Sequence, residues 1–257
     1  MARISRQTKG AVVYGFHAVA ARIRHRPESI REILVDASRH DPRLKRLFQT
    51  ATERDLAIHS VAGKRLDDLA GSGRHQGIVA LVDTLAESRS LDQILDSVEA
   101  TALILVLDGV TDPHNLGACL RVADALGAHA IVAPKDKAVG MTATVEKVAS
   151  GAAQTVPYVV VTNLARELRA LNERGVWTVG VSQAAQLPLG QCDFRRPVAV
   201  VLGAEGKGLR RLTEQTCDEL VAIPMMGTVE SLNVSVAAGI CLYEARRQRN
   251  AAAGSPD

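Results

Sequence analysis

The stretch ALILVLDGVTDPHNLGACLR, residues 102–121, joins an apolar run to a polar loop and then to a helical pattern. The run ALILVLDGV is too short to cross a membrane and is rich in branched residues, which is typical of a strand buried on both faces. A helix is expected over residues 116–126, and strands and helices then alternate up to a last helix over residues 234–249. This order predicts an α/β domain with a mostly parallel sheet over residues 101–249.

The segments on either side of this domain have a different character. Residues 1–83 contain shorter helix-like and strand-like patches, which predict a small α/β module. Residues 84–100 are polar with one short amphipathic stretch, and we interpret them as a linker that carries a helix. Residues 250–257 have no apolar pattern and are predicted to be a disordered tail.

Basic charge is concentrated in the N-terminal third of the chain. Residues 1–83 hold 15 Lys and Arg against 9 Asp and Glu, whereas the remaining 174 residues hold 16 against 19. Five of the seven histidines also lie in residues 1–83. This distribution favours a polyanionic partner such as nucleic acid, with an ordinary solvated surface as the alternative.

Two absences in the sequence limit the class of protein. The apolar runs are shorter than the roughly 18 residues of a membrane helix, and MARISRQTKG has no signal-peptide core, so a cytoplasmic protein without membrane contact is expected. The four cysteines stand singly, which predicts reduced thiols and no metal site.

The first candidate functional motif is N-x-G-x-x-x-R, from Asn115 through Gly117 to Arg121. It follows a predicted strand, and ligands of open α/β sheets bind at the carboxyl ends of strands. On the predicted helix, Arg121 lies opposite the apolar face. The alternative is structural: Asn115 would be a helix cap and Arg121 a solvated residue.

The second motif is the glycine-rich loop in PVAVVLGAEGKGLR, residues 197–210. Gly203, Gly206 and Gly208 would let the backbone approach a ligand, and Glu205 is embedded between them. The spacing G-x-x-G-x-G differs from the dinucleotide fingerprint, and Lys207 is not followed by Ser or Thr as in a P-loop. A tight structural turn is the remaining alternative.

The third motif is IPMMGTVESLNVSVAAGICLYEARRQ, residues 223–248. A polar group that includes Ser231 and Asn233 leads into the last helix, where either residue could also serve only as a helix cap. The set Val236, Ile240 and Tyr243 on that helix is compatible with a dimer contact or with burial.

Taken in this order, the three motifs resemble those of the SpoU (TrmH) family of RNA 2′-O-ribose methyltransferases in the SPOUT superfamily, over roughly residues 101–248. YGFHAV and RHQGIVA, in residues 14–19 and 74–80, resemble the L30-like substrate-binding domain that many members carry. The resemblance implies a C-terminal trefoil knot, homodimers and methyl transfer from S-adenosylmethionine to a ribose 2′-hydroxyl. Within the family, the likeness favours a guanosine of 23S rRNA as the substrate.

Site residues follow from the resemblance position by position. The implied catalytic residues are Asn115, Arg121, Glu205, Ser231 and Asn233. The implied cofactor-binding residues are Gly203, Ile223, Met225 and Leu232. No metal is implied.

Three other functions remain as alternatives. The first is 2′-O-methylation of tRNA or of another rRNA site, of the resistance type, because substrate choice is not set by the catalytic motifs. The second is a non-catalytic RNA-binding assembly factor, which the intact motif residues disfavour. The third is a nucleotide-dependent dehydrogenase or ATPase, which the glycine spacing disfavours.

Overall fold

The computed structural model describes residues 10–25, 27–39, 42–71, 73, 75–83 and 90–254. Contacts between Cα atoms divide the chain into two compact units, residues 1–87 and residues 88–257. The first six residues of the predicted linker, residues 84–89, lie outside the described residues. The roles assigned to the two domains stay a prediction. None of the helices in the described part of the chain has the length and apolar character that a membrane crossing needs.

The first unit is a four-stranded sheet with helices on both faces. Its strands are β1 (Gly10–Tyr14), β2 (Ile30–Asp36), β3 (Ile58–Val61) and β4 (Ile78–Asp83), in the order β1-β4-β2-β3. Its helices are α1 (Phe16–His25), α2 (Pro42–Thr52) and α3 (Gly63–Ala70). Because side chains alternate along a strand, β4 contacts α1 and α2 on one face and α3 on the other.

The second unit is a seven-stranded sheet in which all strand pairs are parallel. Its strands are β5 (Leu103–Asp108), β6 (Ala130–Pro134), β7 (Tyr158–Val161), β8 (Trp177–Val181), β9 (Leu187–Pro188), β10 (Val198–Gly203) and β11 (Glu219–Ala222). They follow the order β7-β6-β5-β10-β8-β11-β9. The predicted α/β class with a mostly parallel sheet is therefore confirmed. Strand order does not define chain threading, so the trefoil knot stays a prediction.

Helices cover both faces of this sheet. They are α4 (Leu91–Asp96), α5 (Pro113–Ala125), α6 (Ala143–Ala149), α7 (Leu164–Glu173), α8 (Arg211–Thr216) and α9 (Val234–Ala253). One layer of core contains side chains of α5, α6 and α9, and the other contains side chains of α4 and α7. Strand β5, in the interior of the sheet beside β10, contributes to both layers and is buried along its whole length, which explains its uninterrupted apolar sequence.

Helix ends differ from the sequence prediction in the second unit. The helix expected over residues 116–126 begins three residues earlier, at Pro113, because Asp112 caps it by accepting from His114 N at 2.9 Å. At the other end of the unit, α9 continues to Ala253, four residues into the predicted tail. The added residues include three alanines, which favour helix, and Gly254 at φ 68° ends it. Residues 255–257 lie outside the described residues.

The end of α9 is hydrogen-bonded to the segments that lead into the neighbouring strands β5 and β10. The guanidinium of Arg249 donates at 2.8–3.0 Å to the carbonyl oxygens of Thr101, Ala102, Phe194 and Arg196. The first two acceptors precede β5 and the other two precede β10. Burial and the nearby Arg246 lower the pKa of Arg249 to about 10, which leaves it charged near neutral pH.

We expect Arg249→Met to lower the free energy of unfolding by about 2–4 kcal/mol, because several half-buried carbonyl groups would lose a charged donor. Urea unfolding followed by circular dichroism measures this change. Arg169→Met, at an exposed position on α7, is the matched control and should change stability by less than about 0.5 kcal/mol. Equal stability of the two variants would contradict an anchoring role for Arg249.

Candidate active site

The glycine-rich loop after β10 is closed by direct backbone contact. A Cβ atom on Gly203 would lie 2.0 Å from the carbonyl carbon of Gly208, so only glycine fits there. Gly208 N donates to Ala204 O at 2.9 Å, and Gly206 and Gly208 have φ angles of 73° and 65°. The loop is thus a tight turn, as its alternative interpretation proposed. It also presents Glu205 as an exposed side chain.

An ion pair between a buried carboxylate and an exposed arginine holds the returning end of this loop. The carboxylate of Asp108, at the end of β5, is 1% exposed and accepts from Arg210 N at 3.0 Å and from Arg210 Nε at 2.5 Å. Asp108 is also the register partner of Gly203, where the loop begins. Both ends of the loop are therefore held at the same point of the sheet. Sequence reasoning missed this pair, although a charged residue that ends an apolar strand is a usable signal.

Three of the five predicted catalytic side chains form one hydrogen-bonded triangle. Asn233 Nδ2 donates to Asn115 Oδ1 at 2.8 Å and to Glu205 Oε1 at 3.4 Å. Asn115 Nδ2 donates to Glu205 Oε2 at 3.3 Å. Each oxygen of the carboxylate therefore receives one amide hydrogen, which fixes the plane of the carboxylate relative to the sheet edge.

Two corners of the triangle follow the carboxyl ends of strands, and the third caps a helix. Asn115 lies in the first turn of α5, after β5, and Glu205 follows β10. Asn233 is the N-cap of α9 and accepts from Ser235 N at 2.9 Å. For Asn233, the structural and the functional interpretation hold together, since one amide group caps the helix through its oxygen and joins the triangle through its nitrogen.

The other two predicted catalytic residues lie outside the triangle. Arg121 is exposed on α5, on the face opposite three buried side chains. These buried side chains are Leu116, Leu120 and Ala123. Arg121 follows Asn115 by six residues, or about 9 Å along the helix axis. Ser231 is exposed and lies on the wall of a neighbouring cavity.

That cavity, of about 440 Å³, opens at the carboxyl ends of β8 and β10 and extends to the triangle through Glu205. Three of the four predicted cofactor residues line it, namely Gly203, Ile223 and Leu232. Met225 is half-buried and is not part of the lining. Sequence reasoning missed the end of β8 and the residues after it, residues 181–184, which also line the cavity. Their position at the end of a buried strand was the available signal.

The four cysteines are poor nucleophiles in this structure. Burial raises the pKa of each of the four cysteine thiols to about 12, so these thiols are protonated near neutral pH. Within the described ranges, we find no group of three or more His, Cys, Asp or Glu side chains that could hold a metal ion.

The sequence and the structure were compared with known proteins. The SpoU rRNA Methylase family matches residues 102–243, and the family described as RNA 2′-O ribose methyltransferase substrate binding matches residues 12–88. A 23S rRNA (guanosine-2′-O-)-methyltransferase of Bordetella pertussis is 58% identical over 238 residues, which cover 93% of this chain and 97% of that protein. A protein with the same description from Shewanella oneidensis is 53% identical over 244 residues, covering 94% and 98%.

Among solved structures, the SpoU methyltransferase AviRb from Streptomyces viridochromogenes, in complex with the cofactor AdoMet, superposes with a TM-score of 0.78 at 27% identity. The superposition covers 93% of this chain and 90% of that one. Family match, sequence identity and fold agree over both units. The chain belongs to the SpoU rRNA methylase family.

Proposed function

We propose that this protein transfers a methyl group from S-adenosylmethionine to the ribose 2′-hydroxyl of a guanosine in 23S rRNA. The observation that carries the proposal is the Asn115–Glu205–Asn233 triangle beside a cavity at the carboxyl edge of a parallel sheet. The relatives that are 53–58% identical and span nearly the same length support the substrate. The +6 charge of residues 1–83 supports an RNA partner.

The cavity fits S-adenosylmethionine, which carries positive charge on its sulfonium and ammonium groups. Two carboxylates, Glu205 and Glu230, line it, against one lysine, Lys207. Backbone groups of the glycine-rich loop can bind polar edges of a ligand, and aliphatic side chains offer an apolar wall for its adenine ring. We assign Gly203, Ile223 and Leu232 to holding this cofactor. When bound, it supplies a methyl group already activated for transfer.

The triangle would orient the ribose beside this cavity. A 2′-hydroxyl is a poor nucleophile, so the protein must hold its oxygen in line with the methyl carbon and provide a route for the proton. Glu205 has oxygen lone pairs left over after the two amide contacts, and we assign it to accepting a hydrogen bond from the ribose. Asn115 and Asn233 act as positioning residues that fix this carboxylate, and Ser231 shapes the cavity wall.

We assign Arg121 to orienting the hydroxyl and binding the adjacent phosphate, with that phosphate or a water molecule receiving the proton. Guanidinium groups normally stay protonated in proteins, which makes them good phosphate partners and poor bases. Arg121 is exposed, and no described residue forms a hydrogen bond or ion pair with it. Its fork is therefore available to RNA.

We further propose that the protein acts as a homodimer in the cytoplasm, where ribosomal RNA is made. Val236, Ile240 and Tyr243 are spaced four and three residues apart on α9 and are 50%, 36% and 59% exposed. They form one apolar stripe on a surface helix, as a helix-helix contact between subunits requires. The family resemblance implies homodimers, and we assign their contact to this stripe.

The first experiment tests the reaction itself. Purified protein is incubated with methyl-labelled S-adenosylmethionine and, separately, with unmodified 23S rRNA and bulk tRNA, and nucleosides are analysed by mass spectrometry. We expect 2′-O-methylguanosine in 23S rRNA only. Label found only in tRNA would keep the chemistry and overturn the substrate, and label in neither RNA would contradict the proposed reaction.

The role of the triangle in catalysis can be tested by a substitution that replaces one amide nitrogen by an oxygen. Asn233→Asp keeps the oxygen that caps α9 but replaces the donor to Asn115 and Glu205 by a second carboxylate. We expect kcat for RNA methylation to fall about 100-fold, as for the loss of one positioned donor at an active site. Repulsion between the carboxylate of Glu205 and the new one at position 233 raises the pKa of one of them. Lowering the pH should protonate that group, which restores a hydrogen-bond donor and should recover part of kcat.

The control is Asn163→Asp, which makes the same exchange at the N-cap of α7. It should leave kcat unchanged, and the melting temperatures of both variants should stay close to that of the parent protein. Normal kcat for Asn233→Asp would remove the triangle from the proposed mechanism.

Arg121→Lys tests the need for a guanidinium fork. The substitution keeps a positive charge but removes bidentate binding, so we expect kcat/KM for RNA to fall about tenfold or more, with unchanged binding of S-adenosylmethionine. Steady-state methylation and calorimetry measure the two quantities. Near-normal turnover would show that a point charge is sufficient at this position.

A further inference from the structure

A second cavity lies in the first unit and is not part of the methyl-transfer site. It measures about 280 Å³ and is lined by Phe16, His17, Arg39, Arg43, Leu44 and Gln76. The two stretches that carry the L30-like resemblance, around residues 14–19 and 74–80, meet there, although they are 60 residues apart: Phe16 N donates to Gln76 Oε1 at 2.9 Å. The cavity therefore occupies the point where the characteristic segments of this unit converge.

The backbone beside Gln76, one of the lining residues, is held by hydrogen bonds. The buried ring of His75 accepts from Gly77 N at 3.0 Å through Nδ1, and its Nε2 lies 3.1 Å from Asp67 Oδ1. These contacts fix Gln76 at φ 54°, a backbone conformation that a residue with a side chain adopts only when its surroundings impose it. Arg39 Nη1 donates to Gln76 O at 2.6 Å, so these two lining residues are joined directly.

The wall combines two kinds of group that bind nucleotides. Phe16 and His17 meet edge to face, with ring centroids 5.6 Å apart and planes at 89°. His17 is exposed, so its ring is open to a stacking partner, and Phe16 packs against the core and fixes the pair. The side chains of Arg39 and Arg43 are both exposed on the same cavity. None of the six lining residues is acidic.

The N-termini of two helices add to the positive potential that Arg39 and Arg43 create at the cavity. The cavity lies at the beginnings of both α1 and α2, since its lining includes the first two residues of α1 and two residues from the first turn of α2. Neither helix has an acidic side chain in its first turn. Their partial positive charges therefore act in the same direction as the two arginines.

We propose that this cavity binds one unpaired nucleotide of the RNA substrate, with the base stacked on His17 and a flanking phosphate held by Arg39 and Arg43. Single-stranded RNA is recognised by stacking of unstacked bases on aromatic rings together with cationic contacts to the backbone. The small volume suits one nucleotide. The inference rests on the proposed function in one respect, that the substrate is RNA, and it gives the basic N-terminal unit a defined contact.

The test is designed to separate a defined site from general attraction to a basic surface. Binding of the full-length protein is measured by fluorescence anisotropy with an RNA hairpin that has an unpaired loop and with the same RNA after the loop is paired to a complementary strand. Arg39→Gln/Arg43→Gln is compared with Lys64→Gln/Arg65→Gln. The second pair removes the same charge at exposed positions on α3, which packs on the other face of the sheet.

We expect the cavity pair to weaken hairpin binding at least tenfold and to reduce the slope of log K against log salt by about 0.7 per lost phosphate contact. The α3 pair should change affinity less than twofold. His17→Ala should weaken binding of the open hairpin about tenfold and leave binding of the paired form unchanged, because only an unpaired base can stack. A melting temperature and a circular dichroism spectrum close to those of the parent protein confirm that the first unit of each variant is folded.

Equal losses in the two charge pairs, or no loss in either, would overturn the proposed site. A loss in His17→Ala that is the same for open and paired RNA would overturn the stacking contact. These binding measurements do not require methyl transfer, so a failure of the proposed reaction, seen as absence of 2′-O-methylguanosine, is distinguished from a failure of this site.

Discussion

The register of β5 against β10 is the constraint on which the candidate active site depends. The two strands pair in parallel from Leu103 with Val198 to Asp108 with Gly203, so they end at the same level of the sheet. A shift of one residue would turn the apolar side chains of either strand from one core layer to the other. Because both layers are filled, the register is fixed, and the two loops that follow these strands must begin side by side.

That common starting point also explains how an exposed glycine-rich loop holds Glu205 in a defined place. The buried carboxylate of Asp108 would be costly without a partner, and the backbone and side chain of Arg210 supply that partner. Because of this contact, the chain returns across Gly203. Gly203 has no side chain, so the backbone of Gly208 can lie directly against it. The sheet therefore determines the shape of the loop, and the carboxylate of Glu205 is free of that anchoring and takes part in the triangle.

Much of the fold and part of the site could be predicted from the sequence. Uninterrupted apolar runs identify β5 and β10 because strands in a parallel sheet are covered on both sides. Motifs near residues 115, 205 and 233 identify the corners of the triangle. Local patterns could not show that these side chains touch, because 118 residues separate Asn115 from Asn233 and their contact depends on strand order. The Asp108–Arg210 pair could not be predicted for the same reason, since 102 residues separate its members. The patches predicted in residues 1–83 did not include helix α3, in which only Leu66 of eight residues is buried.

The two units place different physical demands on one RNA. The triangle consists of an acid and two amides, to which we assign the orientation of a sugar and which contribute little to the affinity for a polyanion. Long-range attraction must therefore come from elsewhere, and the excess of basic residues lies in the first unit. Charge alone would hold any RNA. In our proposal, the cavity lined by His17, Arg39 and Arg43 adds a requirement for an unpaired base, so that the basic unit selects RNA structure and the triangle acts on a single ribose.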